Sequence, residues 1–435
     1  MAVERVVILG AGFAGIAALR QLSRVGALGL AKITLIDKSA YHTYTPLLYE
    51  VASSFVDREE KSKFNIDSSP VQIKCSDIAT RNHATFLQAE VRGIDLDKKK
   101  VLLKNQEIGF DYLVIALGSE ANTMGIQGVK EHGFMLRSVD DALQIRHRLH
   151  QLLYKTERQP GRLFRIILAG GGPSGVELAS ELMMLLKNHI CAGHIDQEAI
   201  SITIVEGKSR LLSMLPKTIS AWTLERLRKI GITVHRDACV KEVKMGEVII
   251  TPRPLKNGEK TEDLICDFRH ESEITLPCEM FIWTAGVCGN SILTKFGLTT
   301  DKNGGRVRVG RSLEIEGKKN IFVIGDGAMV TTDSGESIPW TAQGAMTEGE
   351  TVGTSITRRI LGRPDHRAVP IKKYATVVTV GGKWAVVDLG ILCWRGFFGW
   401  VGRKAADLEY FARVMPFSKA FKLWRKGLRI FGRND

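Results

Sequence analysis

The sequence has 435 residues, 44% apolar and 25% charged, the composition of an ordinary globular protein, which excludes a disordered chain, at a length that asks for two or three domains. Its 61 Lys and Arg against 47 Asp and Glu leave a net charge of +14, which calls for an acidic partner: nucleic acid, anionic lipid or an acidic protein. Seven cysteines, at 75, 191, 239, 266, 278, 288 and 393, show no C-x-x-C or zinc-ligand spacing, so reduced thiols are expected and a metal site is not.

The first element is a strand over Val6 to Leu9, four apolar residues suited to burial on both faces. It begins so close to Met1 that no cleaved leader is expected ahead of it. Gly10, Gly12 and Gly15 follow in the G-x-G-x-x-G spacing: the first for a tight turn, the second for close approach of a pyrophosphate, the third for packing of helix on strand. The next strand, Ile33 to Ile36, ends in Asp37, 22 residues past Gly15, where an acid should hold ribose hydroxyls. Tyr41 to Tyr49 is an aromatic-rich loop entering a helix behind Pro46, placed to lie beside a flavin ring or simply to pack on the sheet. Asp67 to Lys104 reads as a small antiparallel layer, and Asp111 to Ser119 as another buried strand at the crossing into a second domain.

The pattern then repeats. After a helical stretch from Val139 to Tyr154, the strand Arg165 to Ala169 runs into Gly170, Gly172 and Gly175, and Ile202 to Glu206 echoes Ile33 to Asp37. Two dinucleotide folds in one chain point to electron transfer between two cofactors. Pro252 to Glu262, with an Asn257-Gly258 turn, reads as an exposed hairpin. Met280 to Gly286 takes the place that Leu113 to Ser119 holds in the first copy. Asn320 to Gly327 returns to the first domain as a buried strand ending in Gly-Asp-Gly, whose Asp326 is placed either to accept from a flavin's ribityl hydroxyls or to cap a helix. Pro339 to Gly349 opens a helix of small residues able to pack under a ring.

No run of 18 uncharged apolar residues occurs; the nearest, Trp384 to Val401, is interrupted by Asp388 and Arg395, so no transmembrane helix is expected. The tail is amphipathic instead. Trp394, Phe397, Phe398, Val401, Leu408 and Phe411 fall near helical spacing. Beyond Pro416, the residues Phe417, Phe421, Trp424, Leu428 and Phe431 share one face, with Lys419, Lys422, Arg425, Lys426 and Arg429 on the other. From Ile391 to Asp435 ten Lys and Arg stand against three Asp and Glu, a net +7. Such a helix suits an anionic membrane interface, where each large side chain contributes about 1.5–3 kcal/mol and each base about 1 kcal/mol. The alternatives are docking on its own domain or on a second copy, as a homodimer.

These residues resemble the type II NADH dehydrogenases, single-subunit NADH:quinone oxidoreductases of the two-dinucleotide-domain flavoproteins. The likeness covers nearly the whole chain; Ala342-Gln343 and the basic aromatic tail narrow it to this family. It implies an α/β fold of two Rossmann-type dinucleotide-binding domains, for FAD and NADH, with a C-terminal amphipathic membrane-associating helical region. The expected domains are 1–118 and 287–375 for FAD, 119–286 for NAD(P)H and 376–435 for membrane anchoring. The resemblance places Gly10, Gly12, Phe13, Ala14, Gly15, Asp37, Lys38, Thr45, Pro46, Ala116, Gly118, Gly325, Asp326, Ala342 and Gln343 at FAD. It places Gly170, Gly172, Pro173, Ser174, Gly175, Glu177, Glu206, Ala285 and Gly286 at NADH. Glu177 matches an acid near the nicotinamide, at most a proton relay, and Gln343 borders the quinone's entry.

The family often has a second glutamine where this chain has Thr347, whose shorter hydroxyl leaves quinone preference open. The implied activity is FAD-dependent oxidation of NADH with two-electron reduction of a quinone, without proton pumping, by a peripheral protein on the cytoplasmic face of the cell membrane. Lys208 and Arg210 beside Glu206 leave NADPH use open. The nearest enzyme alternative is a sulfide:quinone oxidoreductase using Cys288 and Cys393; the complete second glycine motif favours a nicotinamide. Disulfide reductases are disfavoured because the first helix and strand lack a cysteine pair. A redox-sensing or nucleic-acid-binding flavoprotein is disfavoured because a continuous apolar stripe fits lipid better than stacked bases.

Overall fold

The structure, a computed structural model, describes residues 3–54, 68–159, 161, 163–301, 304–330, 340–365, 367–370 and 372–432. Asp67, Pro339 and the last three residues of the tail lie outside them. The chain forms two compact units: Met1–Thr43, Gln72–Glu120 and Val287–Tyr374 make the first, and Tyr44–Val71, Ala121–Gly286 and Ala375–Asp435 the second.

In chain order the principal elements begin with β1 (Glu4–Leu9), α1 (Phe13–Ala27), β2 (Ala31–Asp37), α2 (Leu48–Ala52), β3 (Thr85–Gln88) and β4 (Tyr112–Ile115). Then come β5 (Gly133–Met135), α3 (Val139–Arg158), β6 (Phe164–Ala169), α4 (Pro173–Cys191), β7 (Ile200–Glu206), β8 (Ile232–Arg236) and β9 (Met280–Trp283). The chain closes with β10 (Ile321–Val323), α5 (Ala342–Ile360), β11 (Thr376–Thr379), β12 (Ala385–Asp388), β13 (Cys393–Gly396), α6 (Phe397–Val414) and α7 (Phe417–Phe431).

The first unit is built on a parallel sheet in the order β10-β4-β1-β2-β3. Val6 to Leu9 are fully buried at its centre, as apolar runs covered on both faces must be. Helix α1 turns Ile16, Leu19, Leu22 and Val25 inward and is crossed by α5. The crossing is close because Gly349 and Gly353 face it: a Cβ on either would stand 2.2 Å from the Ala14 carbonyl oxygen or 2.4 Å from that of Ala18.

The second unit repeats the design, with a parallel sheet in the order β5-β9-β6-β7-β8. Its helix α3 starts with a capping box, in which the Ser138 hydroxyl accepts from the Asp141 amide and Asp141 answers to the Ser138 amide. The antiparallel sheet β11-β12-β13 and the helices α6 and α7 complete this unit. Arg226 fastens the β11–β12 turn by donating to the Val380 and Gly381 carbonyls.

Four expectations are corrected. Within Asp67 to Lys104, Cys75–Arg81 is helical and β3 joins the parallel sheet; Gln72–Lys74 pairs antiparallel with Tyr41–Thr43, and Val91–Asp95 and Lys100–Leu103 form an antiparallel layer with the following Glu107–Gly109. Pro252 to Glu262 turns at Asn257-Gly258 but is no hairpin: the strand Glu247–Pro252 pairs instead with Ile274–Pro277, because Arg253 ties the intervening arm back to Asp237 and Glu259. Trp394 is in β13, not on a helix. Tyr44–Val71 and 376–435 belong to the second unit, because α2 packs on α3 and α4, and the tail on the β11-β12-β13 sheet.

Candidate functional site

The first cradle sits where β1 enters α1. Gly10 has φ +99° and a Cβ there would lie 2.3 Å from the Ala116 carbonyl oxygen; at Gly15 it would lie 2.0 Å from that of Gly10. Gly12 has open space before it. The first helical bond runs from the Ile16 amide to Gly12, so the amides of Phe13, Ala14 and Gly15 have no acceptor within the helix, and no acid occupies the first turn. A helix N-terminus so left suits an anion. Asp37 accepts from the Ala11 amide at 2.7 Å and the Ser39 amide at 2.8 Å. Its two oxygens therefore brace the glycine loop and keep further lone pairs for a ribose. Ala116 is buried, and Gly118 turns the chain with φ +67°. Lys38 is exposed beyond the cradle.

The return loop belongs to the same unit. Ser119 donates to Asp326 at 2.6 Å, and Gly325 packs 3.1 Å from the Ala14 methyl through the position a Cβ would take. On α5, capped by Thr341, Ala342 is partly covered and Gln343 exposed. The Thr347 hydroxyl donates back to the Gln343 carbonyl at 2.9 Å, so it does not project as a longer amide would. Two buried residues here escaped the sequence reading. His42, whose ring nitrogen lies 2.8 Å from the Ala11 carbonyl oxygen, is pushed by burial down to about 4 and stays neutral. Glu348 accepts from the Gly325 amide at 2.5 Å. Neither has a local pattern to announce it.

The second cradle has the same build. Gly170 has φ +107° and would set a Cβ 2.9 Å from the Ala285 nitrogen; a Cβ on Gly175 would meet the Gly170 carbonyl oxygen at 2.0 Å and the Thr284 hydroxyl at 2.7 Å. Gly172 is open, Pro173 starts α4, Ser174 is exposed and the first turn again lacks an acid. Glu206 accepts from the Gly171 amide at 2.5 Å and the Lys208 amide at 2.8 Å, the counterpart of Asp37. Gly286 has φ +77° and is exposed. The nearby bases are engaged: Arg210 donates to the Ser213 and Leu215 carbonyls and the Ser220 hydroxyl, and Lys208 to the Ser213 hydroxyl.

One turn into α4, Glu177 is 6% exposed and belongs to a buried charged group the sequence did not announce. Arg403 lies 3.4 Å from Glu177 and 3.3 Å from Asp407, and donates to the Pro46 carbonyl at 2.6 Å. Lys404 donates to Glu50 at 2.5 Å. Tyr44 donates to Asp407 at 2.8 Å and stacks on Tyr410. Burial raises Glu177 to about 7, against the pull of Arg403. Thr45 and Pro46 thus belong to the second unit, with Thr45 exposed, and Tyr44 packs rather than presenting itself to a ring. All seven cysteines are free; Cys288 bonds the Glu120 carbonyl in the first unit and Cys393 the Asp388 carboxylate in the second.

The tail divides in two. The C-terminal part of α7 docks on its own unit: Ala420, Gly427 and Phe431 are buried, and Trp424 donates to the Lys404 carbonyl at 2.8 Å. Two of the ten bases, Arg403 and Lys404, are buried as well. Leu389, Ile391, Leu392, Phe397, Phe398, Val401, Phe417 and Phe421 remain exposed, Ile391 completely. No helix among the described residues is long and apolar enough to cross a membrane.

Residues 4–349 match the pyridine nucleotide-disulphide oxidoreductase family. The chain is 30% identical over 367 residues to a demethylphylloquinone reductase, NdbB, of Synechocystis, covering 83% of this chain and 80% of that one. It is 28% identical to the type II NADH:quinone oxidoreductase of Staphylococcus epidermidis over 98% of this chain and 97% of that one. In fold it is similar to NDH2 of Plasmodium falciparum, solved with NADH, at a TM-score of 0.80, 20% identity and 99% coverage of both chains. The chain belongs to the pyridine nucleotide-disulphide oxidoreductases, among the type II NADH:quinone oxidoreductases.

Proposed function

We propose that the protein oxidises NADH and reduces a quinone at the surface of a membrane, with FAD held in the first cradle. The carrying observation is the duplication: two glycine loops, each ending at an acid-free helix N-terminus and each braced by the acid at the end of the second strand. The first cradle fits FAD, because the space before Gly12 and the amides of α1 receive a pyrophosphate, while Asp37 and Asp326 supply acceptors for ribose and ribityl hydroxyls. FAD held there would supply the redox chemistry, acceptance of a hydride from NADH and delivery of two electrons to a quinone that takes up two protons.

The chain's own residues bind, orient and move protons. Gly170, Gly172 and Gly175 admit the NADH pyrophosphate, and Glu206 places a negative charge where NADPH would carry its 2′-phosphate. With Lys208 and Arg210 tied to other partners, that charge favours NADH. Glu177, raised to about 7, carries a proton just below neutrality and releases it just above, as a proton relay requires. Gln343, exposed on α5, borders the quinone, and Thr347, tied to its helix, makes the weaker contact.

The exposed apolar residues of the β12–β13 turn, α6 and the start of α7, beside the exposed Lys419, Lys422 and Arg425, suit an anionic lipid surface rather than nucleic acid or a second copy of this basic chain. The cytoplasmic face, where NADH is supplied, is the side proposed. The test is NADH oxidation with a short-chain quinone as acceptor. Activity that needs added FAD after the flavin is stripped supports the reading; activity persisting without any flavin contradicts it.

A further inference from the structure

Glu348 is an acid where an acid is costly. It is 3% exposed on α5, one residue before Gly349, whose contact with the Ala14 carbonyl fixes the height of α5 on α1. From that position its carboxyl reaches the Gly325 amide at 2.5 Å. Gly325 has φ +71° and lies against Ala14 of α1 and Ala345 of α5. The next residue, Asp326, is held by the Ser119 hydroxyl, which donates to it. The Gly325-Asp326 loop is therefore fixed by α1, by the stretch after β4 and by Glu348.

We propose that Glu348 is a positioning residue for the flavin, fixing the Gly325-Asp326 loop through the Gly325 amide so that Asp326 is presented to the ribityl chain. The inference rests on the FAD reading of the first cradle. Burial and the neighbouring Asp326 raise Glu348 to about 8, against the pull of the Gly325 amide and Arg306. Among the described residues, the other charged or titratable groups facing it are Arg306, over the Trp340 ring at 5.0 Å, and Tyr374. Glu348 thus works at neutral pH as an uncharged acid, which accepts from Gly325 through its carbonyl oxygen without adding a second negative charge beside Asp326 and the cofactor's phosphates. Alkali charges it.

The test follows FAD release by flavin fluorescence on either side of pH 8, in the wild type, Glu348→Gln and Glu348→Ala, with far-UV circular dichroism to monitor folding. The amide keeps the acceptor and cannot ionise. The expected result is a wild-type affinity for FAD that falls about tenfold as Glu348 ionises. Glu348→Gln should hold FAD within about threefold of wild type at neutral pH with no alkaline loss, and Glu348→Ala should lose about tenfold or more at every pH. The proposal is overturned if folded Glu348→Gln loses FAD as Glu348→Ala does, or if the wild type shows no alkaline loss beyond that of Glu348→Gln. A wild type that retains no FAD at any pH overturns the cofactor reading itself, and this inference with it.

Discussion

Glu177 and Glu206 are both acids of the second unit, yet their surroundings differ. Glu206 keeps two backbone amides as partners and, in the proposed NADH site, stands where it would repel a 2′-phosphate. Like-charge juxtaposition costs several kcal/mol, so kcat/KM should favour NADH over NADPH by about 100-fold, and Glu206→Ala should shrink that ratio without an equal loss with NADH. Glu177 is buried, with a folded value raised to about 7 from 4.5. Its unfolded form therefore ionises first, and stability is lost as pH rises from 4.5 to about 7. Glu177→Gln removes this loss. Thermal melts should show the variant gaining on the wild type over that window by an amount on the order of 3 kcal/mol, with slower quinone reduction.

At the scale of elements, the two strand-turn-helix segments were legible because each is local: four apolar residues, three glycines and an acid at the end of the next strand lie within a few dozen positions. The parallel sheets follow from them. What the sequence did not disclose depends on distant pairing. Arg403 and Glu177 are 226 positions apart and Lys404 and Glu50 are 354 apart; the two bases look in sequence like any others of a cationic tail. Trp394 entered β13 because helical spacing alone cannot tell a hairpin strand from the helix after it. The small residues after Ala342 read as able to pack under a ring; the contact of Gly349 with α1 lies in distant pairing, and Gly349→Val tests it. A side chain there must displace α5 from α1, so denaturant unfolding should show a loss of about 1–3 kcal/mol or more, with flavin retention reduced.

At the scale of the whole molecule, the proposed membrane contact uses the charge of +14 and the exposed apolar residues of the tail together. Replacing Ile391, Phe397 and Phe398 by Ser removes exposed side chains and should leave the melting temperature nearly unchanged while weakening flotation with anionic liposomes. Each lost group contributes up to about 1.5–3 kcal/mol to lipid binding. Added salt should weaken what remains, because the exposed bases act through screened electrostatics. Flotation unaffected by both changes would mean that this surface does not meet lipid.

Two duplicated cradles matter only if electrons pass through them in order, and one anaerobic titration of the purified protein measures that directly. The visible flavin absorbance of the protein as isolated should bleach on adding one equivalent of NADH and return on adding one equivalent of quinone. A colourless protein that retains no FAD, or a flavin that NADH leaves oxidised, would contradict the account.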